Sequence, residues 1–157
     1  MAKVQKDRAK VSDLESHLGF WLRYVSNHVS QAFATKLLKS DVTVAEWVIL
    51  REMYGREAVA SSALAEFAGL SRGAVSKLVD RLLHKKLLTR VGRDDDRRFQ
   101  SIELTEAGRE LVPRLAALAD VNDVEFFSSL STGERAALLA TLRKLVKAHG
   151  LKKIPTE

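Results

Sequence analysis

The sequence predicts a mainly α-helical fold interrupted once by a small β-hairpin, with a helix-turn-helix immediately ahead of that hairpin. Three observations carry this reading. Apolar residues recur every third or fourth position over long stretches, two short capped helices meet at a glycine, and after Lys86 the period drops to two.

At 157 residues the chain suits one domain or two small lobes, long enough to bury a core. A net charge of +6 and a pI near 9.7 favour a polyanionic partner without naming it. There is no cysteine, which removes disulfides, thiolate zinc sites and thiol redox sensing. The start "MAKVQKDRAK" is charged and has no apolar core, so neither a signal peptide nor a membrane anchor is expected, and the expected location is the cytoplasm. Gly-rich phosphate loops, a nucleophile with a matching base and paired carboxylates are all missing, so neither an enzyme nor a cofactor is expected.

Taken in order, Leu14, Leu18, Leu22, Val25, Val29 and Phe33 mark one face of a helix from Asp13 to about Lys39, roughly seven turns. Beside that stripe run His17, Phe20, Trp21, Tyr24 and His28, so more than half the circumference is fit for burial. "TVAE" at Thr43–Glu46 is a capping box that opens a short helix to Tyr54. A third helix begins at Ser61 or Ser62 and stops at Gly69, and Ser71 caps a fourth running to about Lys85. "LLTRV" (Leu87–Val91) and "FQSIEL" (Phe99–Leu104) read as strands joined by "GRDDDRR", with Gln100, Ile102 and Leu104 on one side. Thr105 caps a fifth helix in which Leu111, Leu115 and Leu118 share a face and Pro113 forces a bend. "STGE" at Ser131–Glu134 is a second capping box, opening a last helix with Leu138, Leu139, Leu142, Leu145 and Val146 inside and Gly150 at its end. The first ten or so residues and "LKKIPTE" read as frayed tails.

On the fourth helix Ala74, Val75, Leu78 and Leu82 form the buried face, which leaves Arg72, Gly73, Ser76, Lys77, Asp80 and Arg81 outward. Small and basic residues near a helix start are what a major groove admits, since bulk would hold the helix off while Arg, Lys and Ser reach bases or phosphates. A charged hairpin directly after it would lie on the same duplex and could place an Arg in the minor groove. His84, Lys85 and Lys86 at the helix end are expected to complement its dipole.

The order of elements, with "LAEFAGLSRGAVSKLVDRLLHKKLLTR" and "DRRFQSIELTEAG", resembles the multiple antibiotic resistance regulator (MarR) family of bacterial winged helix-turn-helix transcription factors, over nearly the whole chain. The most specific match is Asp96-x-Arg98, followed by Leu104, Thr105 and Gly108. The resemblance implies a mainly α fold with a small β-wing, in which a winged helix-turn-helix lobe over 43–104 joins dimerisation helices at 13–39 and 106–150 within one domain spanning 1–157. It implies a homodimer, and three flanking helices with more apolar face than one lobe can cover support that independently. Two recognition helices roughly 34 Å apart would read a pseudo-palindromic operator in double-stranded DNA. By the same resemblance Arg98 enters the minor groove, Asp96 holds its geometry, and Arg93 and Arg97 lie near phosphates; Ser71, Arg72, Ser76, Lys77 and Arg81 are the expected contacts from the recognition helix. The acids and arginines of the hairpin tip would also pair with each other in solvent.

Family members often hold small aromatic or phenolic effectors between the lobes, which here implies a crevice lined by His17, Trp21 and Tyr24 with Trp47 opposite, and Arg51 or Arg23 as a carboxylate clamp. Packing between lobes accounts for the same rings. The expected function is a sequence-specific regulator, a repressor released by a small aromatic acid or phenol. Two alternatives stay open: an architectural or protein-binding winged helix without a ligand, and a metal-responsive regulator using His17 and His28, though two histidines with no further ligand cluster are weak grounds for a metal site.

Overall fold

A computed structural model of the chain describes residues 11–92 and 101–152. Its elements run α1 (Leu18–Leu37), α2 (Val44–Met53), β1 (Val59–Ala60), α3 (Ser61–Ala68), α4 (Arg72–His84), β2 (Leu88–Val91), β3 (Ser101–Leu104), α5 (Glu106–Phe126) and α6 (Thr132–Ala148). The strands form an antiparallel sheet in the order β1-β3-β2, with Leu88 opposite Leu104 and Val91 opposite Ser101. Among the described residues no helix is long and apolar enough to cross a membrane.

The expected caps form. Thr43 Oγ1 accepts from the Glu46 N–H at 3.2 Å while the Glu46 carboxylate accepts from the Thr43 N–H at 2.9 Å. The same reciprocal pair joins Ser131 and Glu134 at the head of α6. Ser71 accepts from the Ala74 N–H at 3.2 Å and Thr105 from the Gly108 N–H at 3.1 Å. Gly69 closes α3 at φ 64, a conformation that spares glycine the steric cost of a side chain.

One core joins the two ends of the fold. Phe33 and Leu37 of α1 meet Ile49, Leu50 and Met53 of α2, Leu64 of α3, Val75, Leu78, Val79 and Leu82 of α4, Leu88, Ile102 and Leu104 of the sheet, and Val112 and Leu115 of α5. Each such side chain contributes about 1.5–3 kcal/mol by leaving water, so this cluster fixes how α4 and the sheet sit against α1 and α5. Gly108 is where α5 touches the sheet: a Cβ placed there would stand 2.3 Å from the Leu87 carbonyl oxygen.

Four expectations need correction. The first helix begins at Leu18 instead of Asp13; Leu14–Ser16 is a 3-10 turn and His17 is extended, because the Ser16 hydroxyl donates to the Asp13 carbonyl at 2.6 Å and competes with helix growth. The apolar stripe of α1 is buried only near its C-terminal end, while Leu18 is 82% and Leu22 47% exposed. The residues of α6 expected inside are between 38% and 49% exposed, since among the described residues none buries that face. β1 is an additional strand, paired with β3 through Val59 and Ile102.

The expected bend in α5 does not end the helix: it runs through Pro113, whose ring faces solvent. Val79 joins the buried face of α4, and Ala74 is only half-buried. Phe99, Gln100 and most of the two tails lie outside the described residues.

Candidate nucleic-acid interface

α4 is amphipathic because its apolar residues fall on one side: Val75, Leu78, Val79 and Leu82 are buried. On the other side Ser71, Arg72, Gly73, Ser76, Lys77, Asp80 and Arg81 are all exposed. Basic residues on this face are kept available by local pairing elsewhere. Asp80, its one acid, accepts from Arg90 of β2 at 3.2 Å, which ties the helix to the adjoining strand and balances the negative charge. Among the described residues, Arg72, Lys77 and Arg81 form no ion pair. An exposed cationic ridge on a helix that is small at its start is the surface a major groove admits.

β2 and β3 pair side by side with Val91 opposite Ser101, and the Arg90–Asp80 ion pair ties β2 to α4. Arg93, Asp96, Arg97 and Arg98 belong to the segment joining the two strands and lie outside the described residues. The end of α4 departs from the sequence reading. Lys85 does not simply face the helix terminus; its ammonium reaches Glu46 Oε2 at 3.0 Å. Glu46 is 1% exposed, and sequence reasoning saw it only as a cap. Burial raises its pKa, but hydrogen bonds from Thr43 and Lys85 outweigh that and hold the carboxyl below the ordinary 4.5.

The expected effector crevice is only partly assembled within one chain. His17 and Tyr24 line an open groove of about 510 Å³ with Leu14, Gly19, Phe20, Arg23 and Asn27. Trp21 neighbours Tyr24, ring centroids 6.3 Å apart, and its Nε1–H donates to the Glu15 carbonyl at 2.8 Å. Trp47 instead packs edge-on against Phe33 at 6.2 Å, and Arg51 is exposed on α2. Neither lines that groove. Of the two cations considered for a clamp, Arg23 lies in it. The His28 ring lies tilted against Tyr24, ring centroids 4.7 Å apart. Among the described residues no three of His, Asp and Glu gather where a metal ion could be held.

A helix-turn-helix with an exposed cationic second helix, followed by a sheet carrying a β-hairpin, defines a winged helix-turn-helix of the nucleic-acid-binding class. The sequence profile of the MarR family matches residues 40–98, from just after α1 to the segment that follows β2. The chain is similar to the HTH-type transcriptional regulator SarZ of Staphylococcus haemolyticus, 26% identical over 137 residues that cover 87% of this chain and 92% of that one. Among solved structures it is similar to Bordetella bronchiseptica BpsR, whose DNA binding is described as regulated by 6-hydroxynicotinic acid (25% identity, TM-score 0.77, covering 87% of this chain and 97% of that one). It is also similar to MepR of S. aureus in a complex with DNA (25% identity, TM-score 0.75, covering 84% and 98%). The chain belongs to the MarR family, and it is a transcriptional regulator rather than an enzyme.

Proposed function

We propose that this regulator binds a pseudo-palindromic operator in double-stranded DNA as a homodimer, and that a small aromatic acid or phenol releases it, making it a repressor. The observation that carries the reading is the outward face of α4, where Arg72, Ser76, Lys77 and Arg81 stand exposed around a small N-terminal turn. In this reading Ser71, Arg72, Ser76, Lys77 and Arg81 meet the major groove, and Arg93, Arg97 and Arg98, oriented by Asp96, meet phosphates and the minor groove. MepR's complex with DNA supports the surface, and BpsR's response to 6-hydroxynicotinic acid supports an aromatic acid as effector.

The apolar surface left open on one chain supports the homodimer. Leu18 and Leu22 on α1 and Leu139, Leu142 and Leu145 on α6 leave apolar surface that a two-fold partner buries in this reading. For the effector we favour the groove of His17, Phe20, Arg23 and Tyr24, with Arg23 as the carboxylate partner and the rings as its walls. Trp47 and Arg51 would join it only across the lobes or from the partner.

Release requires that the effector bind two states unequally. With the groove occupied, the favoured spacing of the two α4 helices no longer matches the operator. The test is a titration of protein and selected operator duplex with 6-hydroxynicotinic acid and simple benzoic acids. The proposal expects at least one of them to raise the apparent Kd for DNA, and expects Arg23→Ala to abolish that rise while leaving affinity without effector unchanged. A compound that binds tightly yet leaves DNA affinity unaltered contradicts the release mechanism.

A further inference from the structure

Lys85 closes α4 at the point where three elements converge. Its ammonium donates to Glu46 Oε2 at 3.0 Å and to the Asp41 backbone carbonyl, and the exposed Asp41 carboxylate lies 3.8 Å away. The Glu46 carboxylate also accepts from the Thr43 N–H. Asp41, left-handed at φ 50, closes the 3-10 turn Leu38–Ser40 that continues α1, and Thr43 and Glu46 form the first turn of α2. One buried carboxylate and one ammonium therefore join the end of α1, the start of α2 and the end of α4.

From another side the Thr105 hydroxyl donates to the Lys86 carbonyl at 2.8 Å and the Thr105 N–H donates to the Leu87 carbonyl at 3.1 Å. The far end of α4 is seated in the core by the apolar side chain of Val75, while Ser71, Arg72 and Gly73 are exposed. Over a helix of this length, about 20 Å, a small change of angle at the C-terminal end is magnified at the other. A rotation of about 3° at Lys85 carries Arg72 through about 1 Å, enough to spoil hydrogen bonds to base edges.

We infer that Glu46 and Lys85 are positioning residues for DNA recognition: their ion pair sets the angle at which α4 meets the duplex and links it to the end of α1. This rests on the DNA-binding reading above. The competing role for an ammonium at the end of such a helix is a direct phosphate contact. The two roles differ in how Glu46 should behave. A phosphate-binding Lys85 gains nothing from Glu46, whereas a strut fails when either member is lost.

The experiment compares wild type, Glu46→Gln, Lys85→Met and the double variant on a duplex selected by wild type and on a scrambled duplex, over a range of salt. Gln at position 46 keeps an acceptor for the capping box, so Glu46→Gln retains the head of α2. The expected result is a loss of about 3- to 30-fold in affinity of Glu46→Gln for the selected duplex. The double variant should be no weaker than the poorer single one, because the pair acts as a unit. Affinity for the scrambled duplex and the salt slope should stay at wild-type values.

Binding of Glu46→Gln within about twofold of wild type overturns the inference. So does a salt slope reduced by about 0.9 when Lys85 is removed, the signature of one lost phosphate contact. Lys85→Met leaves the Glu46 charge buried and unpaired, and if it does not fold, Glu46→Gln and the double variant decide the matter. Wild type that shows no preference for any selected duplex over the scrambled one refutes DNA recognition itself, a distinct outcome from failure of the strut.

Discussion

Glu46 connects chemistry to stability at the scale of one residue. Its carboxyl is held below 4.5 in the folded chain, so on acidification the unfolded chain takes up the proton first. The stability it contributes is complete above 4.5 and is lost as pH falls through the lower, folded value. Urea midpoints of wild type and Glu46→Gln should therefore differ most at about pH 6 and converge towards about pH 3. A gap that widens on acidification would contradict the assigned direction. Lys77 and Arg98 test recognition at the same scale. Replacing Lys77 or Arg98 with Ala should weaken operator binding by about 1–3 kcal/mol, with Arg98→Ala relaxing discrimination at the flanks of the site, as measured by competition with altered duplexes. Unchanged binding in both variants removes these residues from the interface.

Elements show what a linear reading catches and what it misses. The heads of α2, α4, α5 and α6 were legible because a capping side chain and its amide partner lie three residues apart, and all four local pairs form. β1 was not legible, since Val59–Ala60 is too short to show alternation and exists only because β3 passes beside it. The start of α1 was misplaced because Leu14 continues the apolar spacing while the hydrogen bonds of Ser16 and His17 break the helix there. The outward face of α4 followed from periodicity alone, whereas the Lys85–Glu46 pair spans 39 positions and left no local trace.

Gly108 was noticed in sequence as part of a pattern, and its reason is contact: α5 approaches the backbone at Leu87 too closely for a side chain. Ala is favoured over Gly by about 1 kcal/mol within a helix. A Cβ at 2.3 Å from a backbone carbonyl reverses that advantage. Gly108→Ala should lower stability by about 1–3 kcal/mol in urea unfolding, through displacement of α5 from β2. A more stable variant would mean that this approach is slack.

For the whole molecule the central fact is an imbalance of surfaces. The lobe from α2 to β3 buries its core within one chain, while the N-terminal half of α1 and the length of α6 keep large apolar side chains in solvent. That division explains why the internal packing of the first lobe could be read from sequence whereas the inward face assigned to α6 could not: the pattern shows that a face requires burial but not which chain buries it. On our account a second copy does so, and its two-fold axis fixes the distance between two α4 helices. With each helix entering its own major groove on that account, the spacing and angular phase of the half-sites matter as much as their sequence.

The most direct measurement is the affinity of the protein for its selected operator with about 5 base pairs inserted between the half-sites, half a helical turn, which moves the second half-site to the opposite face of the duplex. The account predicts that affinity falls to the level of a lone half-site and recovers in part when the insertion is lengthened to about 10 base pairs. Equal affinity for the original and the half-turn duplex would contradict it.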